Sequence, residues 1–250
     1  MLRTLGIVHA CFDGQAPKPM GSRKLGGRPI LEWIVRRVTD CQQLGGTVVL
    51  TDDSPANSFV SDLVPLDVPV FVAKHAQDAL SRLLLVLDEC PAEHVVCVSC
   101  RYPFLDPMWI DRLVAEAESS EGVDFACYAL PPGPRPLEEP EIGLEICWIR
   151  SAALRRLDRK IKSVDARNGL GTLFRSAKSG CRSLEVRPPA EISDGRLQLV
   201  FGDEEAWEET LTVFESLGTD GLDWHRIADL LDHQPSMHIQ VAPEKTATHH

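Results

Sequence analysis

Leu5-Gly6-Ile7-Val8-His9, then the stretch from Cys11 to Arg28, then the segment from Pro29 to Cys41, decide the fold of this chain. The first run is short and apolar, the length of a buried strand. The middle stretch carries Gly14, Pro17, Lys18, Pro19, Gly21, Arg23, Lys24, Gly26, Gly27 and Arg28. The third segment places Ile30, Ile34, Val38 and Cys41 on one helical face, with proline in the first turn. Strand, cationic glycine loop and helix are the parts with which α/β proteins hold phosphates.

The alternation continues outward from this unit. Thr47–Leu50, Val68–Val72, His94–Val98 and Val123–Leu130 read as strands. Asn57–Val64, Gln77–Glu89 and a segment capped by Asp106 with Pro107 behind it read as helices. Such a chain folds with right-handed crossovers into a doubly wound, mainly parallel sheet. Ligands in these sheets sit beyond the carboxyl ends of the strands. The second half predicts a Pro/Glu-rich loop from Pro131 to Pro140, strands at Leu144–Ile149, Ser183–Val186 and Leu197–Phe201, and helices at Ser151–Arg159, around Leu173–Lys178, at Asp203–Leu217 and at Trp224–Leu231. One domain over residues 1–240 and a flexible tail over 241–250 is the simplest organisation.

At 250 residues and 44% hydrophobic, the chain can bury one large core. A formal net charge of -11 argues against a protein that neutralises nucleic-acid phosphates over a broad surface. It leaves room for a small nucleotide in a local cationic pocket. No run approaches the roughly 20 apolar residues of a membrane span, and the first apolar run is too short for a signal peptide. The eight cysteines are scattered through apolar segments and read as reduced thiols of a cytoplasmic protein. Cys97 and Cys100 have no second pair at metal spacing and read as core thiols rather than as a redox or zinc motif.

The order of segments resembles the cytidylyltransferases that make CMP-activated sugars, such as CMP-Kdo and CMP-sialic acid synthetases, and within them the spore-coat polysaccharide branch. The residues that carry the resemblance are Leu25-Gly26-Gly27-Arg28-Pro29-Ile30-Leu31-Glu32, Thr51-Asp52-Asp53, Val70-Phe71 followed by Asp78, Leu80 and Arg82, Pro103-Phe104-Leu105-Asp106-Pro107, Gly143-Leu144-Glu145-Ile146, and Leu197 to Glu205. It implies the three-layer nucleotide-diphospho-sugar transferase fold. It also implies transfer of CMP from CTP to a sugar hydroxyl, with pyrophosphate released and Mg²⁺ neutralising charge. CTP and a sugar are then the partners, without nucleic acid or membrane, and a homodimer is one expected assembly.

Several family positions carry different residues here. Aligned without gaps, the cations of the first loop fall on Cys11, Gly14, Ala16 and Met20; a gapped register uses Ser22, Arg23 and Lys24 instead. Lys18 is the nearest substitute for the loop lysine. Arg101 stands where the family has a metal-binding aspartate, and a guanidinium cannot ligate Mg²⁺, which takes oxygen ligands; it can meet a phosphate directly. The second metal aspartate falls on Gly202, leaving Asp203 as an adjacent candidate that also reads as a helix cap.

The resemblance thus nominates Lys18 and Arg101 as catalytic, Gly14, Arg23, Lys24 and Asp53 as nucleotide-binding, Asp203 as metal-binding, and Glu145 and Asn168 on the sugar side. Three readings follow: a cytidylyltransferase of surface polysaccharide biosynthesis with an altered site, an inactive homologue serving as a nucleotide- or sugar-binding partner subunit, or a glycosyltransferase of similar architecture using Asp52 or Asp53 for a metal.

Overall fold

The computed structural model describes residues 1–12, 20–100, 104–129, 146–188, 204–218 and 223–233. Its centre is a seven-stranded sheet. The strands are β1 (Leu2–His9), β4 (Gly46–Asp52), β5 (Val70–Ala73), β6 (Ala92–Ser99), β7 (Phe125–Tyr128), β8 (Ile146–Arg150) and β9 (Ser183–Val186), in the order β5-β4-β1-β6-β8-β7-β9. Two further short strands, β2 (Lys24–Leu25) and β3 (Arg28–Pro29), form a separate hairpin. In the large sheet only β8 runs antiparallel to its neighbours β6 and β7; every other pair is parallel. The expected doubly wound, mainly parallel sheet is therefore the observed one.

Helices cover both faces. On one face α1 (Ile30–Thr39), α4 (Pro107–Ser119), α8 (Glu204–Leu217) and α9 (Trp224–His233) share a core with Val8, Ala10, Val96, Val98 and Trp148. On the other, α3 (Ala79–Glu89), α5 (Ser151–Lys160) and α7 (Leu170–Arg175) pack on Leu5, Ile7, Val48, Leu50 and Val95. Alternate residues of β1 thus enter opposite layers, as the period of two in a strand requires. Both faces of β1 are buried, which is why its sequence is a continuous apolar run. Full burial of each such aliphatic side chain is worth about 1.5–3 kcal/mol.

Local chemistry sets the element ends. Gly26 and Gly27 have φ of 55° and 86°. Two consecutive positive φ values are what a two-residue type I′ hairpin needs, so Lys24-Leu25 folds back on Arg28-Pro29. Pro29 belongs to this hairpin, and α1 starts one residue later, with the Ile30 N–H donating to the Arg23 carbonyl (2.8 Å). Asp78 caps α3 by accepting from the Ser81 N–H (2.7 Å), and Asp106 caps α4 through Met108 (2.9 Å).

Three expected elements differ in detail, and one helix is additional. The helix expected over Asn57–Val64 splits into a 3₁₀ turn at Pro55–Asn57 and α2 (Val60–Leu63). Asn57 is the cause: its amide donates back to Asp52 and Ser54, a turn-forming competition with helical bonding. The strand expected to reach Leu130 pairs only over Phe125–Tyr128. The helix expected around Leu173–Lys178 is α7, which ends at Arg175, where Ser176 becomes extended. A short helix, α6 (Val164–Asn168), was not expected from the pattern because its buried residue is an arginine, Arg167. The loop Pro131–Pro140, the strand Leu197–Phe201 and the tail 241–250 lie outside the described residues.

Candidate functional site at the carboxyl edge of the sheet

Chain order fixes where a ligand fits. From β1 the chain winds outward through β4 to β5, then crosses back to β6 on the other side of β1. The reversal makes a crevice between the carboxyl ends of β1 and β6, the topological switch point of such sheets. His9 ends β1 and is the register partner of Ser99, which ends β6.

The segment that leaves β1 is tied down at once. The Ala10 N–H donates to the Leu50 carbonyl (2.8 Å), and the Thr51 hydroxyl donates to the Ala10 carbonyl (2.9 Å). Next, the Phe12 N–H donates to Asn57 Oδ1 (2.8 Å). Asn57 Nδ2 in turn donates to Asp52 Oδ1 (2.8 Å), which also accepts from the Ser54 N–H (3.0 Å). The Phe12 ring rests against Phe59 at 5.4 Å and against Gly21, where a Cβ would come within 2.7 Å of the ring. The cationic loop is therefore anchored at Phe12 on one side and at Gly21 on the other.

Four polar groups gather on the α3 side of this edge: His9, Cys11, Asp52 and Arg82. Burial, helped by the Arg82 charge and opposed by Asp52, lowers the His9 pKa to about 4, so the imidazole is neutral at physiological pH. Burial likewise pushes the Cys11 thiol up to about 12, which keeps it protonated and unsuited to nucleophilic work. Burial alone would raise the Asp52 pKa, but hydrogen bonds from Ser54 and Asn57, with the Arg82 charge, win and hold it below the usual carboxylate value. Asp52 is thus an anion, Arg82 a cation and His9 a neutral ring. Two atoms of this group, His9 Nε2 and Arg82 Nε, are buried and have no hydrogen-bond partner among the described residues. Burying a polar atom without a partner costs about 1–3 kcal/mol, and each such atom in a native fold needs a reason.

The lowered His9 pKa has a measurable consequence. Relative to the unfolded chain, folded His9 binds fewer protons between its ordinary value of 6.5 and about 4. Stability therefore falls as pH drops through that window, by no more than about 3 kcal/mol from this group. Urea unfolding at pH 7 and pH 4.5 will show a smaller acid loss in His9→Gln than in the unmodified protein.

The structure separates the nominated residues. Asp53 is exposed, whereas its neighbour Asp52 turns into the cluster. Arg23 places its guanidinium over the Trp207 ring of α8 at 5.2 Å, a packing role, and Lys24 is exposed on the hairpin. Asn168 Oδ1 accepts from the Ala79 N–H (2.9 Å), so its carbonyl serves as a second cap on α3. Beside it Arg167 is buried and bonds Asp78 (2.9 Å), Ser81 (2.9 Å), Asp158 (2.8 Å) and the Ile161 carbonyl (3.0 Å). The N-terminus of α3 is thus capped by Asp78 and Asn168, and Arg167 locks the Asp78 cap in place. Lys18, Gly14, Arg101, Asp203 and Glu145 lie outside the described residues.

His9 carried no signal beyond being a polar residue at the end of an apolar run. Arg82 appeared only within a family motif, and Asn57 only as a helix residue. A polar residue closing the first strand, with an arginine one turn into the helix before β6, was the available clue. A groove of about 480 Å³ on the outer flank of α3, lined by Lys74, His75, Gln77, Ser81, Asp88 and Asp158 among others, contains none of the nominated residues.

The resemblance brings Mg²⁺ with it. Among the described residues, no group of three or more His, Cys, Asp or Glu side chains could hold a metal ion. Asp52 is committed to Ser54 and Asn57. Arg101 and Asp203, the positions that the resemblance assigns to the metal site, lie outside the described residues.

A mainly parallel sheet with helices on both faces and a charged crevice at its switch point is an α/β architecture of the kind that holds nucleotides. A family description, the MobA-like NTP transferase domain, matches residues 14–179, and the chain belongs to that family. Among solved structures, a cytidylyltransferase from Leptospira borgpetersenii superposes with a TM-score of 0.80 at 15% identity, covering 95% of this chain and 97% of that one. A CMP:2-keto-3-deoxy-manno-octonic acid synthetase complexed with CTP gives 0.62 at 13% identity, covering 86% and 99%. Rv0371c from Mycobacterium tuberculosis, in complex with manganese, gives 0.57 at 16% identity, covering 84% and 98%. At these identities the likeness is one of fold. No curated protein matches the chain in sequence.

Proposed function

We propose that this protein binds CTP at the crevice between β1 and β6 and transfers its CMP unit to a sugar hydroxyl, releasing pyrophosphate, in surface polysaccharide biosynthesis. The observation that carries the reading is the pair of buried groups at the switch point, His9 Nε2 and Arg82 Nε, that have no partner among the described residues. A nucleotide supplies oxygen and ring-nitrogen atoms that satisfy both. Arg82 provides the fixed cation, and neutral His9 adds a hydrogen bond without a second charge. Family membership and the CTP bound by a structural neighbour support the choice of ligand. Lys18 and Arg101 are proposed as the additional cations along the triphosphate, with Gly14 in the loop and Glu145 toward the sugar. Asp203 is the remaining candidate for a metal ligand. We further propose a single domain over residues 1–240, a cytoplasmic location and a homodimer.

A second reading has its own support. Asn168 caps a helix and Arg23 packs on Trp207. These favour a homologue that keeps nucleotide binding and has lost transfer, acting as a partner subunit. The glycosyltransferase reading is the weakest, since Asp52 is held by Ser54 and Asn57 and Asp53 faces solvent.

Pyrophosphate release measured with CTP, Mg²⁺ and a panel of acidic and neutral sugars separates the first two readings. Sugar-dependent release that disappears in Lys18→Ala or Arg101→Ala supports the transferase. CTP binding with no release from any sugar supports the partner subunit.

A further inference from the structure

Three cysteines stand side by side across the sheet. Cys147 of β8 is the register partner of Cys97 in β6 on one side and of Cys127 in β7 on the other. All three belong to the layer faced by α3, α5 and α7. Cys127 is buried, while Cys97 and Cys147 are partly exposed, and no disulfide joins them.

The two neighbours of Cys147 are not equivalent. In an antiparallel ladder a residue shares its main-chain bonds with one neighbour and faces the other as a non-hydrogen-bonded pair, with side chains closer together. The Arg150 N–H donates to the Asp124 carbonyl (2.9 Å), toward β7. Counting back by alternation turns the main-chain groups of Cys147 toward β6. The Phe125 and Ala129 N–H groups donate to Arg182 and Val186, toward β9 (3.3 and 2.8 Å), so Cys127 also turns its main chain there. Cys127 and Cys147 therefore form the close pair. Directly opposed residues have Cβ atoms about 4.5–5.5 Å apart, and a disulfide spans about 3.5–4.5 Å, a small adjustment. The proximity is also electrostatic: burial first, then the Cys147 thiol, raises the Cys127 pKa to about 12.

We propose that Cys147 is a redox modification site that forms a reversible disulfide with Cys127 under peroxide. The partly exposed Cys147 thiol gives up its proton and attacks a peroxide oxygen, forming a sulfenic acid, and the released hydroxide takes that proton to leave as one water. The Cys127 sulfur then displaces hydroxide from Cys147, which leaves as a second water with the Cys127 proton. Two thiols lose two electrons and two protons, and hydrogen peroxide is reduced to two waters. The bond ties β7 to β8 covalently. A dithiol reverses it. Cys127 is too buried and too weakly acidic to react first, which makes Cys147 the point of attack.

The test treats the native full-length protein with hydrogen peroxide, blocks remaining thiols with N-ethylmaleimide after denaturation, and maps peptides by mass spectrometry before and after dithiothreitol. The expected product is an intramolecular Cys127–Cys147 peptide lacking two hydrogens and restored by dithiothreitol. Cys147→Ser removes that link, while Cys97→Ser leaves it in place. Recovery of all eight cysteines as alkylated thiols overturns the proposal, and so does a link joining Cys147 to Cys97 or two molecules to each other. Because the readout is covalent, its outcome is independent of whether the protein turns over CTP.

Discussion

Arg167→Met will lower the unfolding free energy by about 3–5 kcal/mol, the cost of removing one partner from a buried ion pair. Arg167 and Asp78 have side chains only 10% and 7% exposed. Arg167 also reaches Ser81, Asp158 and the Ile161 carbonyl, so one guanidinium ties α6, which carries it, to α3 and to α5 with its C-terminal cap. Burial opposes both charges. For Asp78 the hydrogen bonds from Ser81 and Arg167 outweigh it and hold the carboxylate below its ordinary pKa. Methionine fills much of the same volume but leaves that carboxylate without its cation. Chemical denaturation at pH 7 measures the loss. The sign with pH follows: a carboxylate whose pKa is depressed by folding stabilises above its unfolded value and loses that contribution as pH falls through the folded one. The difference between Arg167→Met and the unmodified protein therefore shrinks below about pH 4.

The second large effect falls on binding, with stability left nearly unchanged. Arg82 lies one turn into α3, directly after the capped N-terminus, and its Nε lacks a partner. Arg82→Met relieves the charge that presses on His9, removes the one that favours ionised Asp52, and breaks no described hydrogen bond, so the melting temperature should change little. A hydrogen bond to a charged ligand is worth about 1.5–3 kcal/mol, so CTP affinity should fall by about 10- to 150-fold. A residue that mattered only for packing would behave in the opposite way. Isothermal calorimetry and thermal melts on the same samples separate the two roles. Arg167→Met should weaken CTP binding only to the extent that it unfolds or shifts α3.

Much of the fold was legible because its signals are local. Asp106-Pro107 announces a helix start that a side-chain carboxylate creates by itself. The apolar period of Ile30, Ile34 and Val38 specifies a helix with one buried face. Gly26-Gly27 specifies a tight hairpin, although the sequence reading left it within the cationic loop before the helix. Asn57 misled the reading because its side chain bonds residues that precede it, Asp52 and Ser54, and so interrupts a helix the apolar pattern permits.

The site was less legible because its members meet only in space. His9, Asp52 and Arg82 come from two strands and a helix, and no spacing links them. Asn168 resembles a polar ligand-facing residue in sequence, yet folding brings it to the Ala79 N–H, in a segment distant along the chain. Arg23 reads as a phosphate-loop cation until α8 supplies Trp207 as its partner. The family match over residues 14–179 and the fold agree with the sequence reading of the class. The residues at the crevice then shift attention from the nominated Asp53, Arg23 and Lys24 to Asp52, His9 and Arg82.

The central claim is that a nucleotide satisfies the two unpartnered atoms at the β1–β6 crevice. Calorimetric titration of CTP, without added metal, into the unmodified protein and into Arg82→Met tests it most directly. Saturable binding that weakens at least about tenfold in Arg82→Met, at an unchanged melting temperature, is the expected result. Equal CTP affinity in the two proteins, or no binding to either, would contradict it.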